Sequence, residues 1–173
     1  MRMFYPDRRE KSAYTIDYAD LYRKGYRGVI FDIDNTLVPH GAPATKEAAA
    51  FFASLRETGF STCLLSNNQK PRVAPFADAV GSIYIENAHK PSVKNYQEAC
   101  RRMGIKEEQA VFVGDQLFTD VYGAKRTGLY NILTEPIDPK EEIQIVLKRY
   151  LEHIVLFFYE RDLARGRITK KNS

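Results

Sequence analysis

Cysteine and histidine are scarce. Two and three of them in 173 residues, set far apart, exclude a structural zinc site, which needs clustered sulfur and imidazole ligands. Cys63 and Cys100 each sit in apolar sequence and read as buried thiols of a reducing compartment rather than as a disulfide. Nowhere does an apolar run approach the roughly 20 residues that span a bilayer. The opening MRMFYPDRREKSAY lacks the continuous apolar segment of a secretory signal, so a cytoplasmic protein is expected. Glycine-rich sequence ending in Gly-Lys-Ser/Thr is also missing, which excludes a nucleotide P-loop. There is no internal repeat, low-complexity tract or linker.

What is present fits a single domain over 1–173 with a full-size core: 44% hydrophobic and 28% charged residues. The net charge of +4 is uneven. Residues 1–28 hold seven Lys/Arg against four acids, residues 159–173 hold five against two, and the stretch between is net acidic. Solvated ends are the ordinary reading of such runs. Basic ends that meet an anionic surface are the sharper one.

Apolar, β-branched segments alternate with helix-like ones. Strands are expected at 28–33, 60–67, 82–86, 110–115 and 129–134. Helices are expected between them, with Ala48, Phe51, Phe52 and Leu55 on one inward face and Val93, Tyr96, Cys100 and Met103 on another. Pro75 is expected to delay or distort the helix after the second strand. A long last helix is expected over 139–164, with a basic tail at 165–173. Strands apolar on both faces, each followed by a helix, predict a doubly wound, three-layer, Rossmann-like α/β fold with a parallel sheet of about five strands.

In such folds ligands bind beyond the carboxyl ends of the strands, and the anomalous polar residues of this chain fall there. VIFDIDNTLVPH carries Asp32 and Asp34 at the mouth of an apolar strand, where two carboxylates repel each other and lose hydration. Ser66 ends the second strand, Lys90 follows the third, and Asp115 ends the fourth, with Asp120 close behind. Several carboxylates in one cleft, with no clustered His or Cys, point to Mg²⁺. A carboxylate there can act as a nucleophile toward phosphorus. A calcium loop counted from Asp32 needs Gly sixth and Glu twelfth, but Leu37 and Pro43 stand there. A receiver domain needs its Asp at the end of the third strand, where Glu86 and Asn87 stand. His40 and His89, beside the motifs, read as solvated loop residues.

The set resembles the haloacid dehalogenase (HAD) superfamily of phosphohydrolases. FDIDNTL resembles its first motif, LLSNN its second, HKPS its third and VGDQLFTD its fourth, in order within 28–120. The resemblance implies Asp32 as nucleophile and Asp34 as general acid and base. It implies Mg²⁺ on Asp32, on the backbone carbonyl of Asp34 and on Asp115. Ser66, Asn67 and Lys90 would surround the phosphoryl group. Thr36 and Asp120 would support the site. The motif intervals leave no room for a separate cap domain, and an open cleft suits a phosphate on something large.

The short core and the lead FYPDRREKSAYTIDYADLYRKGYRGVIFDIDNTL resemble the subclass IIIA, YqeG-type branch, which is similar to mitochondrial phosphatidylglycerophosphate phosphatases. That implies a phosphate monoester substrate, phosphatidylglycerophosphate first, and a protein peripheral on the inner face of a membrane. The alternative is a soluble phosphatase of a sugar, nucleotide or protein phosphate. An alternative of another class is a non-catalytic RNA- or ribosome-binding module. Tyr14, Tyr18, Tyr22 and Tyr26, spaced by four, argue against nucleic acid, because that spacing packs a helix onto a core.

The last helix is expected to pack Ile143, Val146, Leu147, Tyr150, Leu151, Ile154, Val155 and Phe158 on the sheet or on a second copy in a homodimer. Phe157 and the tail cations Arg165, Arg167, Lys170 and Lys171 would then face an anionic membrane.

Overall fold

The computed structural model describes residues 2–138 and 143–169, without the side chains of 143–148. The expectations on 139–142, on the side chains of Ile143, Val146 and Leu147, and on Lys170 and Lys171 lie outside the described residues.

The elements run β1 (Arg8–Glu10), α1 (Tyr18–Arg23), β2 (Gly28–Phe31), α2 (Lys46–Thr58), β3 (Ser61–Leu65) and α3 (Lys70–Val80). They continue with β4 (Ile83–Ile85), α4 (Val93–Met103), β5 (Ala110–Gly114), α5 (Tyr122–Thr127), β6 (Tyr130–Thr134) and α6 (Ile143–Ala164). The six strands form one parallel sheet in the order β1-β6-β5-β2-β3-β4. β2 lies between β3 and β5, so the loops that follow these three strands open side by side.

Both faces of the sheet are covered, which is why its central strands are apolar at successive positions. Val29, Phe31, Leu64, Val111 and Val113 pack with Phe52 and Leu55 of α2 and Val73 and Phe76 of α3. Ile30, Cys63, Leu65 and Phe112 pack with Tyr96, Ala99 and Cys100 of α4 and Ala124 of α5. Both cysteines are buried free thiols. Tyr18 is buried, and Tyr14, Tyr22 and Tyr26 pack around the same core. These rings are used in folding rather than displayed for base stacking.

Local chemistry sets the helix ends. Thr45 caps α2 by accepting from Ala48 N at 3.0 Å, and Gly59 closes it at φ 106°. α3 has Pro71 in its first turn, where the missing N–H costs nothing, and runs on through Pro75.

Three expectations need correction. Among the described residues the sheet has six strands, not about five. β1 is only three residues long, all charged, and pairs with β6 alone, so it carries no apolar signature. The helix expected after the fourth strand begins as a widened turn over Leu117–Val121, where Asp120 N and Val121 N both donate to Gln116 O. Finally, only part of the expected α6 stripe packs on the chain's own core. Val155 is buried and Phe158 packs beside it as expected, but Tyr150, Leu151 and Ile154 are exposed, while Glu152, Tyr159 and Asp162 face inward. Polar anchors explain this: Leu117 N donates to Glu152 Oε1 at 2.8 Å, and Tyr5 OH donates to Asp162 Oδ2 at 3.2 Å.

Candidate active site

Asp32 follows β2 directly, and its N–H donates to Val113 O of β5 at 3.0 Å. The chain then turns tightly. Asn35 takes φ 63°, a conformation that asparagine tolerates well, and Asn35 N donates to Val38 O at 2.7 Å. The turn presents Asp32 and Asp34 on separate partners. Lys90 Nζ reaches Asp32 Oδ1 at 2.6 Å and Asp120 Oδ1 at 2.7 Å, all three side chains buried. Asp34 receives Gly41 N at 2.7 Å, Asn68 Nδ2 at 2.7 Å and Arg72 Nη2 at 2.8 Å.

Ser66 follows β3 and is buried. Its Oγ accepts from Asn68 N at 3.1 Å. Asn67 binds the Lys90 main chain, accepting from Lys90 N at 2.7 Å and donating to Lys90 O at 3.5 Å. Its amide therefore positions the lysine, although Asn67 also lines the cleft. Asp115 follows β5. Its Oδ1 accepts from Thr36 Oγ1 at 3.3 Å, and its Oδ2 is ion-paired with Arg149 of α6. Asp120 takes Gln116 N on Oδ2 at 3.1 Å. His40 and His89 are exposed, His40 at the cleft rim.

Oxygens of Asp32, Asp115 and Asp120 lie within 4.8 Å of one another. Burial pushes Asp32 up to about 7, with Lys90 pulling it down and Asp120 pushing it further up. Burial likewise pushes Asp115 up to about 8, reinforced by Asp120 and Asp32 and opposed by Arg149. Burial works against the Lys90 ammonium, but the carboxylates of Asp120 and Asp32 outweigh it and hold the lysine above its ordinary value. Buried carboxyl oxygens this close together, which repel one another and lose hydration, fit a hard divalent metal that takes oxygen donors. Asp34's carboxylate stands outside this trio.

The structure brings Asp32, Asp34, Ser66, Asn67 and Lys90 to one cleft. It sets Asp115, Asp120 and Thr36 beside them. Reading along the chain missed Asn68, Arg72 and Arg149. Asn68 and Arg72 had one available signal, since both follow Ser66 within six residues. Arg149 had none, since it is 34 positions beyond Asp115 on a helix rich in charge.

A family model for haloacid dehalogenase-like hydrolases matches residues 41–128. The chain is 34% identical to the probable phosphatase YqeG of Bacillus subtilis over 92% of its own length and 94% of that protein's. It is 29% identical to phosphatidylglycerophosphate phosphatase 1 (chloroplastic/mitochondrial) of Arabidopsis thaliana over 87% of its length and 46% of that protein's. An uncharacterized Corynebacterium glutamicum protein of known crystal structure shares the fold. Its TM-score is 0.54 at 23% identity, over 72% of this chain and 95% of that one. With the aspartate-and-lysine site at the carboxyl edge of a parallel sheet, these matches mean that the chain belongs to the haloacid dehalogenase-like hydrolases and is a phosphatase of their YqeG-type branch.

Proposed function

We propose that the protein is a Mg²⁺-dependent phosphomonoesterase that works through an aspartyl-phosphate on Asp32, with phosphatidylglycerophosphate as substrate. The observation that carries the chemistry is the buried Asp32–Lys90–Asp120 arrangement next to Asp115. Asp32, the Asp34 main-chain carbonyl and Asp115 would hold Mg²⁺, which supplies positive charge against the phosphoryl oxygens.

An Asp32 carboxylate oxygen attacks phosphorus, and the bond from phosphorus to the leaving oxygen breaks. Asp34, which would enter the cycle protonated and released from its Arg72 ion pair, hands that oxygen a proton, so the alcohol departs neutral. Asp34, now a carboxylate, takes a proton from the water that attacks the acyl-phosphate, and inorganic phosphate leaves with Asp32 restored. Ser66 and Lys90 hold the phosphoryl oxygens. Asn67 keeps Lys90 in place, and Asp120 holds the other side of its ammonium.

The lipid assignment is supported by the named substrate of the Arabidopsis relative, by the capless cleft, and by α6. Among the described residues no helix is long and apolar enough to cross a membrane. Yet α6 turns Tyr150, Leu151, Ile154 and Phe157 outward, with Arg165 and Arg167 exposed beyond them. An apolar stripe followed by cations suits the surface of an anionic bilayer at its cytoplasmic face.

The test is phosphate release from phosphatidylglycerophosphate vesicles and from soluble sugar, nucleotide and peptide phosphates, each with Mg²⁺ and with EDTA. Mg²⁺-dependent turnover is expected to be greatest on the vesicles and to fall with Phe157→Ser, while a soluble aryl phosphate is still turned over. Greater turnover of a soluble phosphate, with no sedimentation on anionic liposomes at low salt, would support the soluble reading. A dimer broken by Phe157→Ser would assign the stripe to a second copy instead.

A further inference from the structure

The matched family span ends at residue 128, so α6 lies beyond it. Even so, α6 sends a guanidinium to Asp115. Arg149 Nη2 pairs with Asp115 Oδ2, and Arg149 Nη1 donates to the Asp115 main-chain oxygen. Arg149 Nη1 also meets Glu152 Oε2 at 3.0 Å, and Glu152 Oε1 accepts from Leu117 N at 2.8 Å. The contacts close a ring: Asp115 to Arg149, Arg149 to Glu152, Glu152 to Leu117, and back through the chain. It is largely buried, with side-chain exposures of 15% for Arg149, 0% for Asp115 and 5% for Glu152.

We infer that Arg149 and Glu152 are positioning residues that set the rotamer of Asp115 for the metal. The inference rests on the reading of Asp115 as a metal ligand. A cation that only balanced charge would need the carboxylate alone. This one holds the carboxylate and the main-chain oxygen of the same residue, which fixes the torsion between them. Arginine's planar fork fixes the angle between its two contacts, whereas a lysine ammonium is a point charge on a flexible stem. With Oδ2 held by Arg149, Oδ1 is left on the side of the Asp32 turn, where Thr36 Oγ1 meets it. On its outer side the ring borders a cleft of about 550 Å³, while the Asp115 carboxylate itself is fully buried behind the guanidinium. Glu152 in turn holds Arg149 and ties Leu117 to α6, so the loop after β5 is braced from outside the core.

Hydrogen-bond partners of metal-ligating carboxylates commonly contribute about 10–100-fold to metal affinity. The experiment is calorimetric Mg²⁺ titration of the full-length, metal-free protein as wild type, Arg149→Met, Arg149→Lys and Glu152→Gln, with a thermal melt of each. Arg149→Met is expected to weaken Mg²⁺ binding about 10–100-fold. Arg149→Lys should weaken it almost as much, because it restores the charge without the fork. Glu152→Gln should weaken it less, in the same direction.

Unchanged or tighter binding by folded Arg149→Met would overturn the inference, tighter binding marking Arg149 as a competitor for Asp115. Full recovery by Arg149→Lys would also overturn it, since charge alone would then suffice. If Arg149→Met does not fold, Glu152→Gln decides, and wild-type affinity there overturns the clamp. Wild type that takes up no Mg²⁺ would sink the metal reading and the clamp together. Wild type that binds while its variants match it would sink the clamp alone.

Discussion

At the scale of single residues, the site is a balance of buried charge. Each carboxylate has a cation: Lys90 for Asp32 and Asp120, Arg72 for Asp34, Arg149 for Asp115. The carboxylates were legible because anions at the mouths of apolar strands are anomalous. Arg149 was not, because a cation on an amphipathic helix looks the same whether it meets solvent or a buried acid, and Arg72 had only its nearness to Ser66 to mark it. The balance has a pH consequence. Asp32 and Asp115 rise from an ordinary 3.8 to about 7 and about 8. Between those values the folded chain binds more protons than the unfolded one, so stability falls as pH rises through the folded values. In EDTA, the melting temperature of wild type should therefore drop from about pH 6 to about pH 8, and that of Asp115→Asn should drop less. Mg²⁺ should raise the wild-type value more at the higher pH, because it binds the ionised form. Melts with equal slopes for wild type and Asp115→Asn would refute this reading of Asp115.

At the scale of elements, the five strands that hold the core were legible from length, β-branching and apolar runs. β1 was not, since the sheet edge selects charge rather than hydrophobicity there. α6 was legible as a helix but only partly in its inward face. Leu151 and Ile154 suggested an inward face, whereas Glu152 and Asp162 take that face because each has a buried partner. The widened turn after β5 depends on a close approach that no periodicity reveals. A Cβ added at Gly114 would collide with the Asp120 carboxylate, which has backbone and ammonium partners on opposite oxygens. Gly114→Ala is therefore expected to push Asp120 off Lys90, to cost about 1–3 kcal/mol of stability, and to lower phosphatase activity. Chemical denaturation with a matched activity assay checks it. A variant as stable and active as wild type would show that the approach is not tight.

At the scale of the whole molecule, strand order makes the site. Asp32, Ser66 and Asp115 are far apart in sequence, and the β3-β2-β5 neighbourhood sets their three loops side by side. Lys90 then joins them from the loop after β4, at the sheet's far edge. The central claim is that this arrangement phosphorylates Asp32. Intact-mass analysis after acid quench, with Mg²⁺ and an aryl phosphate, tests it most directly. Asp34→Asn should accumulate protein carrying one phosphoryl group, located on Asp32 by peptide mapping, because the base that clears it is lost. Asp32→Asn should neither gain mass nor turn over. Turnover by Asp32→Asn at the wild-type rate, or phosphate found on another residue, would contradict the account.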